Sequence, residues 1–181
     1  VNALLGSRYP ERNLKFINRG ISGNRVADLY GRWKEDTLNL HPDVLSILVG
    51  INDCGSTIYE DAGSDPDRFE KIYQLLIDEA KEQNPDLLLV LCEPFFITCR
   101  WEKRAFQGME WFNETSSGKD KTSCRAKQNH FVPLQDKFNQ LCEIREPDYW
   151  VWDGVQSEPY VTSNSRRWVD EGCVSKVSLD L

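Results

Sequence analysis

Two apolar runs separated by one amphipathic segment constrain the fold of this 181-residue chain most strongly. The first run covers residues 44–49, and the second, Leu87-Leu-Leu-Val-Leu-Cys92, is continuously apolar, as a strand covered on both faces should be. Between them, residues 67–83 place apolar side chains at helical spacing: Phe69, Ile72, Tyr73, Leu76, Ile77 and Ala80. A strand, a helix and a strand in this order form a right-handed crossover between parallel strands. The sequence therefore predicts an α/β fold with a mostly parallel sheet.

The rest of the chain up to residue 155 continues this alternation. The pattern predicts helices over 1–8, 25–38 and 135–144, strands over 14–18 and 130–134, and a polar loop from residue 50 to Pro66, with Asn24 as the N-cap of the second helix. Helices are expected on both faces of the sheet. Segment 95–129 fits the alternation poorly, because aromatic residues there give way to a polar loop. The aromatic segment from Tyr149 is expected to line a groove or, as a strand, to bury some of its rings.

Polar groups and glycines stand where predicted strands end. Gly50-Ile51-Asn52-Asp53 follows run 44–49, Gly20-Ile-Ser-Gly23-Asn24 follows strand 14–18, and Asp153 follows the aromatic segment. Open α/β sheets bind ligands at the carboxyl ends of their strands. An Asn52 amide there, and the backbone N–H of Gly23 beside a helix start, are groups that can donate to a developing oxyanion. Asp53 is expected to be a structural cap or turn residue.

These ordered motifs resemble the SGNH, or GDSL-type, hydrolases over residues 1–155. The resemblance implies a three-layer α/β/α, flavodoxin-like fold in a single domain over 1–181, and ester hydrolysis through a serine acyl-enzyme. It assigns Gly23 and Asn52 to the oxyanion site and Asp153 to orienting a catalytic histidine. Family members act on small acyl esters, lipids and acetylated sugars, and the polar, tryptophan-containing segment 95–129 favours an acetylated carbohydrate. No metal and no organic cofactor is implied.

Two members of the family motif are absent from the sequence. No Gly-Asp-Ser occurs, and Gln156 stands where the family has its histidine, three positions after Asp153. Since 22 residues precede Gly23, the family's nucleophile turn and first strand would lie before residue 1, and we expect an N-terminally truncated, inactive copy. Glutamine cannot take a proton from serine as imidazole does. For residues 156–181, genuine divergence and a reading-frame slip after Gly154 both fit.

No other side chain is expected to replace the missing groups. Ser22 does not stand in a Gly-x-Ser-x-Gly context, and a serine there is more typical of a helix cap. His41 and His130 belong at the amino ends of their strands, about 17 Å from the carboxyl ends. Neither histidine is therefore expected to serve Asp153.

Composition limits the classes of partner and the cellular compartment that we expect for this protein. A net charge of −7 with scattered basic residues argues against nucleic acid, and no apolar stretch approaches the roughly 20 residues of a membrane span. Six cysteines without Cys-x-x-Cys spacing indicate isolated thiols in a reducing, cytoplasmic compartment, with a Cys99–Cys124 disulfide as the alternative. The expected partner is a small-molecule ester or acetylated sugar.

Two other classes of function stay open at this point. A non-catalytic module that binds esters or carbohydrates explains the absent serine and histidine together. A nucleotide-binding flavodoxin-like domain is less favoured, because no glycine-rich phosphate loop follows any strand.

Overall fold

A computed structural model of the chain describes residues 2–54, 65–97 and 129–150. The helices are α1 (Asn2–Arg8), α2 (Val26–Gly31), α3 (Trp33–Asp36), α4 (Pro66–Gln83), α5 (Gln135–Cys142) and α6 (Pro147–Trp150). The strands are β1 (Val44–Ile47), β2 (Leu88–Cys92) and β3 (Asn129–Val132). Two short 3-10 helices cover Pro10–Arg12 and Leu38–Leu40. The predicted elements at 1–8, 44–49, 67–83, 87–92, 130–134 and 135–144 are confirmed, with small shifts of their ends.

The three described strands form one parallel sheet in the order β1-β2-β3. Val44 pairs with Leu88 and Ile47 with Leu91, and Leu89 pairs in turn with Asn129. All three strands therefore end at the same edge of the sheet. The prediction of a parallel sheet built through crossover connections is confirmed for the described residues.

The main core lies between one face of this sheet and helices α2, α3 and α4. Alternate strand residues such as Ile47, Leu89 and Leu91 point to that face, as the two-residue period of a strand requires. The predicted apolar stripe of α4 packs there as expected: Phe69, Ile72, Tyr73, Leu76, Ile77 and Ala80. A second cluster joins Phe95 and Ile97 to α5 and α6. Burial of a spaced apolar face is what holds α4 in its helical form.

The predicted strand at 14–18 is wrong. Residues 13–20 have no regular secondary structure, and Leu14, Phe16 and Ile17 are 38%, 37% and 44% exposed. A strand requires a neighbour that accepts its backbone hydrogen bonds. The described strands place none beside this segment, because β1 pairs with β2 alone. High β-propensity was therefore not enough to make a strand here.

The predicted helix over 25–38 is interrupted. Helix α2 stops at Gly31, Arg32 has non-helical angles (φ −124, ψ 11), and α3 restarts at Trp33. Glycine has low helix propensity. The N-cap is Arg25 rather than Asn24, and its backbone N–H donates to the Asp28 carboxylate at 2.8 Å. An acidic residue at the third helical position supplies this one half of a capping box.

The aromatic segment begins as a helix rather than a strand. Tyr149 and Trp150 belong to α6, where Trp150 is buried against Phe95 and Phe138, while Tyr149 is 40% exposed. Core packing therefore accounts for Trp150. Trp152 and Asp153 lie outside the described residues, as do segment 98–128 and residues 156–181.

Candidate active site

The carboxyl end of β1 turns sharply at a glycine. Gly50 has a φ of 130°, a conformation that side chains with a Cβ rarely adopt. Residues 51–54 then form a helical turn, in which the Cys54 backbone N–H donates to the carbonyl oxygen of Gly50 at 3.0 Å. The prediction of a polar loop directly after residue 50 is therefore wrong at its start. The turn places Asn52 and Asp53 at the edge of the sheet where ligands bind in open α/β folds.

A second glycine turn lies in the segment before α2. The Asn24 backbone N–H donates to the Ile21 carbonyl oxygen at 3.3 Å, and Gly23 has a φ of 84°. Type II turns require a positive φ at this third position. Within the described residues the exposed Gly23 N–H makes no hydrogen bond. It is therefore available as a donor to a bound ligand.

Two hydrogen bonds join these turns, although their residues lie 27 and 28 positions apart. The Asn52 amide Nδ2 donates to the carbonyl oxygen of Asn24 at 3.0 Å. The neighbouring Asp53 carboxylate accepts from the backbone N–H of Val26, also at 3.0 Å. The structure thus brings the segments of Gly23 and Asn52 together, as the sequence predicted.

The bond to Asn24 also fixes how Asn52 can act. A side-chain amide carries two N–H donors. One of them is directed at the Asn24 carbonyl, which sets the orientation of the amide and leaves the second donor for another acceptor. Asn52 is half-buried, so the residue is partly accessible to a ligand.

Asp53 is a structural residue, as predicted. It is fully buried, and it accepts from the first N–H of α2, one of the donors that a helix cannot satisfy internally. The adjacent Cys54 thiol is buried too. Burial, followed by the negative charge of Asp53, raises the pKa of Cys54 from 9.0 to about 11. This thiol stays protonated near neutral pH and is no nucleophile.

Of the other positions considered in the sequence, two lie outside the described residues and three lie within them. Asp153 and Gln156 lie outside the described residues, so their relation to Asn52 stays a prediction. Ser22 sits in the exposed turn before Gly23 and does not cap α2. His41 precedes β1 and His130 is the second residue of β3, so both lie at the amino ends of the strands, as expected.

Sequence reasoning missed one residue of this region, Arg32. Its guanidinium donates to the Asn24 side-chain oxygen from Nε at 3.1 Å and from Nη2 at 2.8 Å, and to the Arg19 carbonyl at 2.8 Å. It is also paired with Asp36, one helical turn further on. The Arg32–Asp36 spacing is a recognisable helix pair. The contacts with Arg19 and Asn24 leave no comparable pattern in the sequence.

Neither a metal site nor a membrane helix is found in the part of the chain that the structure covers. In residues 2–54, 65–97 and 129–150, no three His, Cys, Asp or Glu side chains are grouped to bind a metal ion. None of the helices there is long and apolar enough to cross a membrane. Cys54, Cys92 and Cys142 are not in a disulfide bond, while Cys99 and Cys124 lie outside the described residues.

Comparison with known proteins identifies the family. The model of the GDSL-like lipase/acylhydrolase family matches residues 1–155, and the chain belongs to that family. An acetylxylan esterase from Geobacillus stearothermophilus is 30% identical over 159 residues, which cover 86% of this chain and 70% of the esterase.

Solved structures show the same fold. A protein from Parabacteroides merdae, described as a GDSL-like lipase, is similar with a TM-score of 0.82 and 30% identity, over 93% of this chain and 77% of that one. The structure of the Geobacillus acetylxylan esterase gives a TM-score of 0.74 and 26% identity, over 92% and 76% of the two chains. The predicted three-layer α/β/α fold of the SGNH hydrolases is thereby confirmed.

Proposed function

We propose that the turns at Gly23 and Asn52 form the oxyanion site of an ester hydrolase that acts on small acyl esters, in particular acetylated carbohydrates. The observation that carries this proposal is the Asn52–Asn24 hydrogen bond, which holds the Asn52 amide against the residue that follows Gly23. The Gly23 N–H makes no hydrogen bond within the described residues. Fixed donors directed at developing negative charge are the largest single contribution in many acyl-transfer enzymes. The acetyl group and the sugar are suggested by the acetylxylan esterase relative.

The remaining catalytic groups are assigned by the family's chemistry. Catalytic mutants of the Geobacillus esterase replace a serine, an aspartate or a histidine, and its aspartate and histidine stand three positions apart. Asp153 and Gln156 have that spacing here. In the proposed reaction a serine attacks the ester carbonyl, the base takes its proton, and Gly23 and Asn52 stabilise the oxyanion. Asp153 would orient the base.

We propose that these 181 residues bind an ester without turning it over. They contain no Gly-Asp-Ser, and the amide of Gln156 cannot act as a general base at neutral pH. The alternative is a pseudoenzyme whose whole protein is a binder of esters or carbohydrates. Gln156 is the observation that favours it. The two candidates differ in whether supplying the serine and the histidine yields turnover.

Ligand binding tests the proposal in the chain as it exists. Calorimetric titration should give tighter binding of an acetylated xylo-oligosaccharide than of its deacetylated form, and Asn52→Ala should abolish this preference. Asn84→Ala is a matched control, because Asn84 also donates its amide to a carbonyl, that of Pro42, at 3.3 Å, but at the amino end of the sheet. Equal binding of both sugars, or loss of the preference in Asn84→Ala, would contradict the proposal.

We further propose that residues 1–181 form one domain. We also propose a reducing, cytoplasmic compartment, which is supported by the three described cysteines that are not in a disulfide bond. A single calorimetric unfolding transition and six titratable thiols in the denatured, unreduced protein are expected. Two unfolding transitions would contradict the single domain. Fewer than six titratable thiols would contradict the reducing compartment.

A further inference from the structure

The guanidinium of Arg32 contacts residues on both sides of the Gly23 turn. It donates to the carbonyl of Arg19, which precedes the turn, and twice to the side chain of Asn24, which follows it. Its side chain is 22% exposed. The two bonds to Asn24 are partly buried, while the bond to the Arg19 carbonyl lies at the surface. Segment 13–25 has no regular secondary structure of its own. Its conformation therefore depends on such side-chain bonds.

Asn24 links Arg32 to the candidate oxyanion site. The side-chain oxygen of Asn24 accepts from Arg32, while its backbone carbonyl accepts from the Asn52 amide at 3.0 Å. One residue thus connects the guanidinium to the group proposed to stabilise the oxyanion. Asp36 in turn binds Arg32 from the next helical turn and fixes the orientation of the guanidinium.

We propose that Arg32 is a positioning residue for the oxyanion site. It acts through Asn24: the guanidinium holds the turn so that the Asn24 carbonyl stays where Asn52 can donate to it. The inference rests on the proposed function of Gly23 and Asn52. The planar guanidinium of Arg32 donates four hydrogen bonds from its three nitrogen atoms. Lysine presents its donors from a single point, so it keeps the charge but not this geometry.

The test measures the turn itself and needs no ester. In Arg32→Lys, hydrogen exchange followed by mass spectrometry should become about tenfold faster or more over residues 19–25, because charge-assisted bonds that oppose local opening are lost. The ¹⁵N-labelled side-chain amide of Asn52 should shift towards the position of a free asparagine. Arg68→Lys is the control, since Arg68 pairs with Asp65 at 3.7 Å but is 69% exposed and begins α4. It should change neither readout.

Two further variants separate positioning from general destabilisation. Asp36→Asn, a milder change, should shift the same Asn52 signal in the same direction by a smaller amount. Arg32→Lys should accelerate exchange much less in a chain that already carries Asn24→Ala than in the unaltered chain. The effects of substitutions at two coupled residues are not additive. An unchanged Asn52 signal in Arg32→Lys, an equal change in Arg68→Lys, or full additivity with Asn24→Ala would overturn the inference. Since none of these readouts involves an ester, equal binding of the acetylated and deacetylated sugars by the unaltered chain would count against the proposed function alone.

Discussion

The carboxylate of Asp53 accepts a hydrogen bond from the backbone N–H of Val26 at 3.0 Å, across 27 positions of the chain. Both residues are fully buried. This bond and the adjacent one from Asn52 to Asn24 tie the start of α2 to the turn that follows β1. The candidate site is therefore built at the junction of a helix start and a strand end, and a buried structural carboxylate holds this junction together.

The Asp53–Val26 bond should contribute measurably to stability. Asp53→Ala leaves a buried N–H without its acceptor, which costs on the order of 1–3 kcal/mol. Urea unfolding of the variant should show this loss. Asp28 is a matched control, because it also accepts a backbone N–H at the start of α2 but is 41% exposed. Asp28→Ala should cost less than Asp53→Ala, and the reverse order would contradict the structural role of Asp53.

Two glycines should respond in opposite ways to alanine. At Gly23 a Cβ would meet no atom within 4 Å, but the φ of 84° is unfavourable for alanine, so Gly23→Ala should cost about 1–2 kcal/mol. Gly31 ends α2 with equally open space and no positive φ. Gly31→Ala should therefore stabilise the protein, by up to about 1 kcal/mol. Thermal unfolding of both variants checks the pair, and a stabilising Gly23→Ala would show that the turn is not held in this conformation.

Cys54 should make stability depend on pH in the alkaline range. Its folded pKa of about 11 lies above its ordinary value of 9.0, so folding favours the neutral thiol. The contribution is complete below pH 9.0 and is lost as the pH rises towards 11. The free energy of unfolding should fall more steeply over this interval in the natural chain than in Cys54→Ala. Parallel pH profiles from urea unfolding would show that the thiol is not buried beside Asp53.

The sequence predicted those elements in which local pattern and tertiary packing agree. The apolar stripe of α4 and the apolar run of β2 are determined by burial. Burial of one face or of a whole strand produces a recognisable pattern of apolar residues in the sequence. Segment 14–18 failed for the opposite reason, since a strand depends on a partner that lies elsewhere in the chain. Helix 25–38 failed where Gly31 has low helix propensity and where the Arg32 side chain bonds back to Arg19 and Asn24.

The candidate site, like the fold, was predictable only in part. The rule that parallel strands gather their following turns at one edge predicts Gly23 near Asn52. In the structure no strand directly precedes Gly23, and the Asn52–Asn24 and Asp53–Val26 hydrogen bonds join the two turns instead. The roles of Asn24 and Arg32 were not predictable, because single hydrogen bonds between residues 8–28 positions apart leave no periodic signal. The position of Asp153 stays a prediction.

Catalysis should require the serine and the histidine together. Supplying a family-type N-terminal strand that ends in Gly-Asp-Ser, together with Gln156→His, should create hydrolysis of p-nitrophenyl acetate, whereas either change alone should not. The unaltered chain should not exceed a heat-treated control. A completed variant that unfolds cooperatively yet stays inactive would mean that residue 156 does not reach the site.

The turnover number of this completed variant after Asn52→Ala is the most direct measure of the oxyanion assignment. Loss of one preorganised donor should lower it by about 10²–10³, while Asn84→Ala, which removes a similar amide at the opposite end of the sheet, should leave it unchanged. Turnover that survives Asn52→Ala, or that falls equally in Asn84→Ala, would contradict the assignment of Asn52 to the oxyanion site.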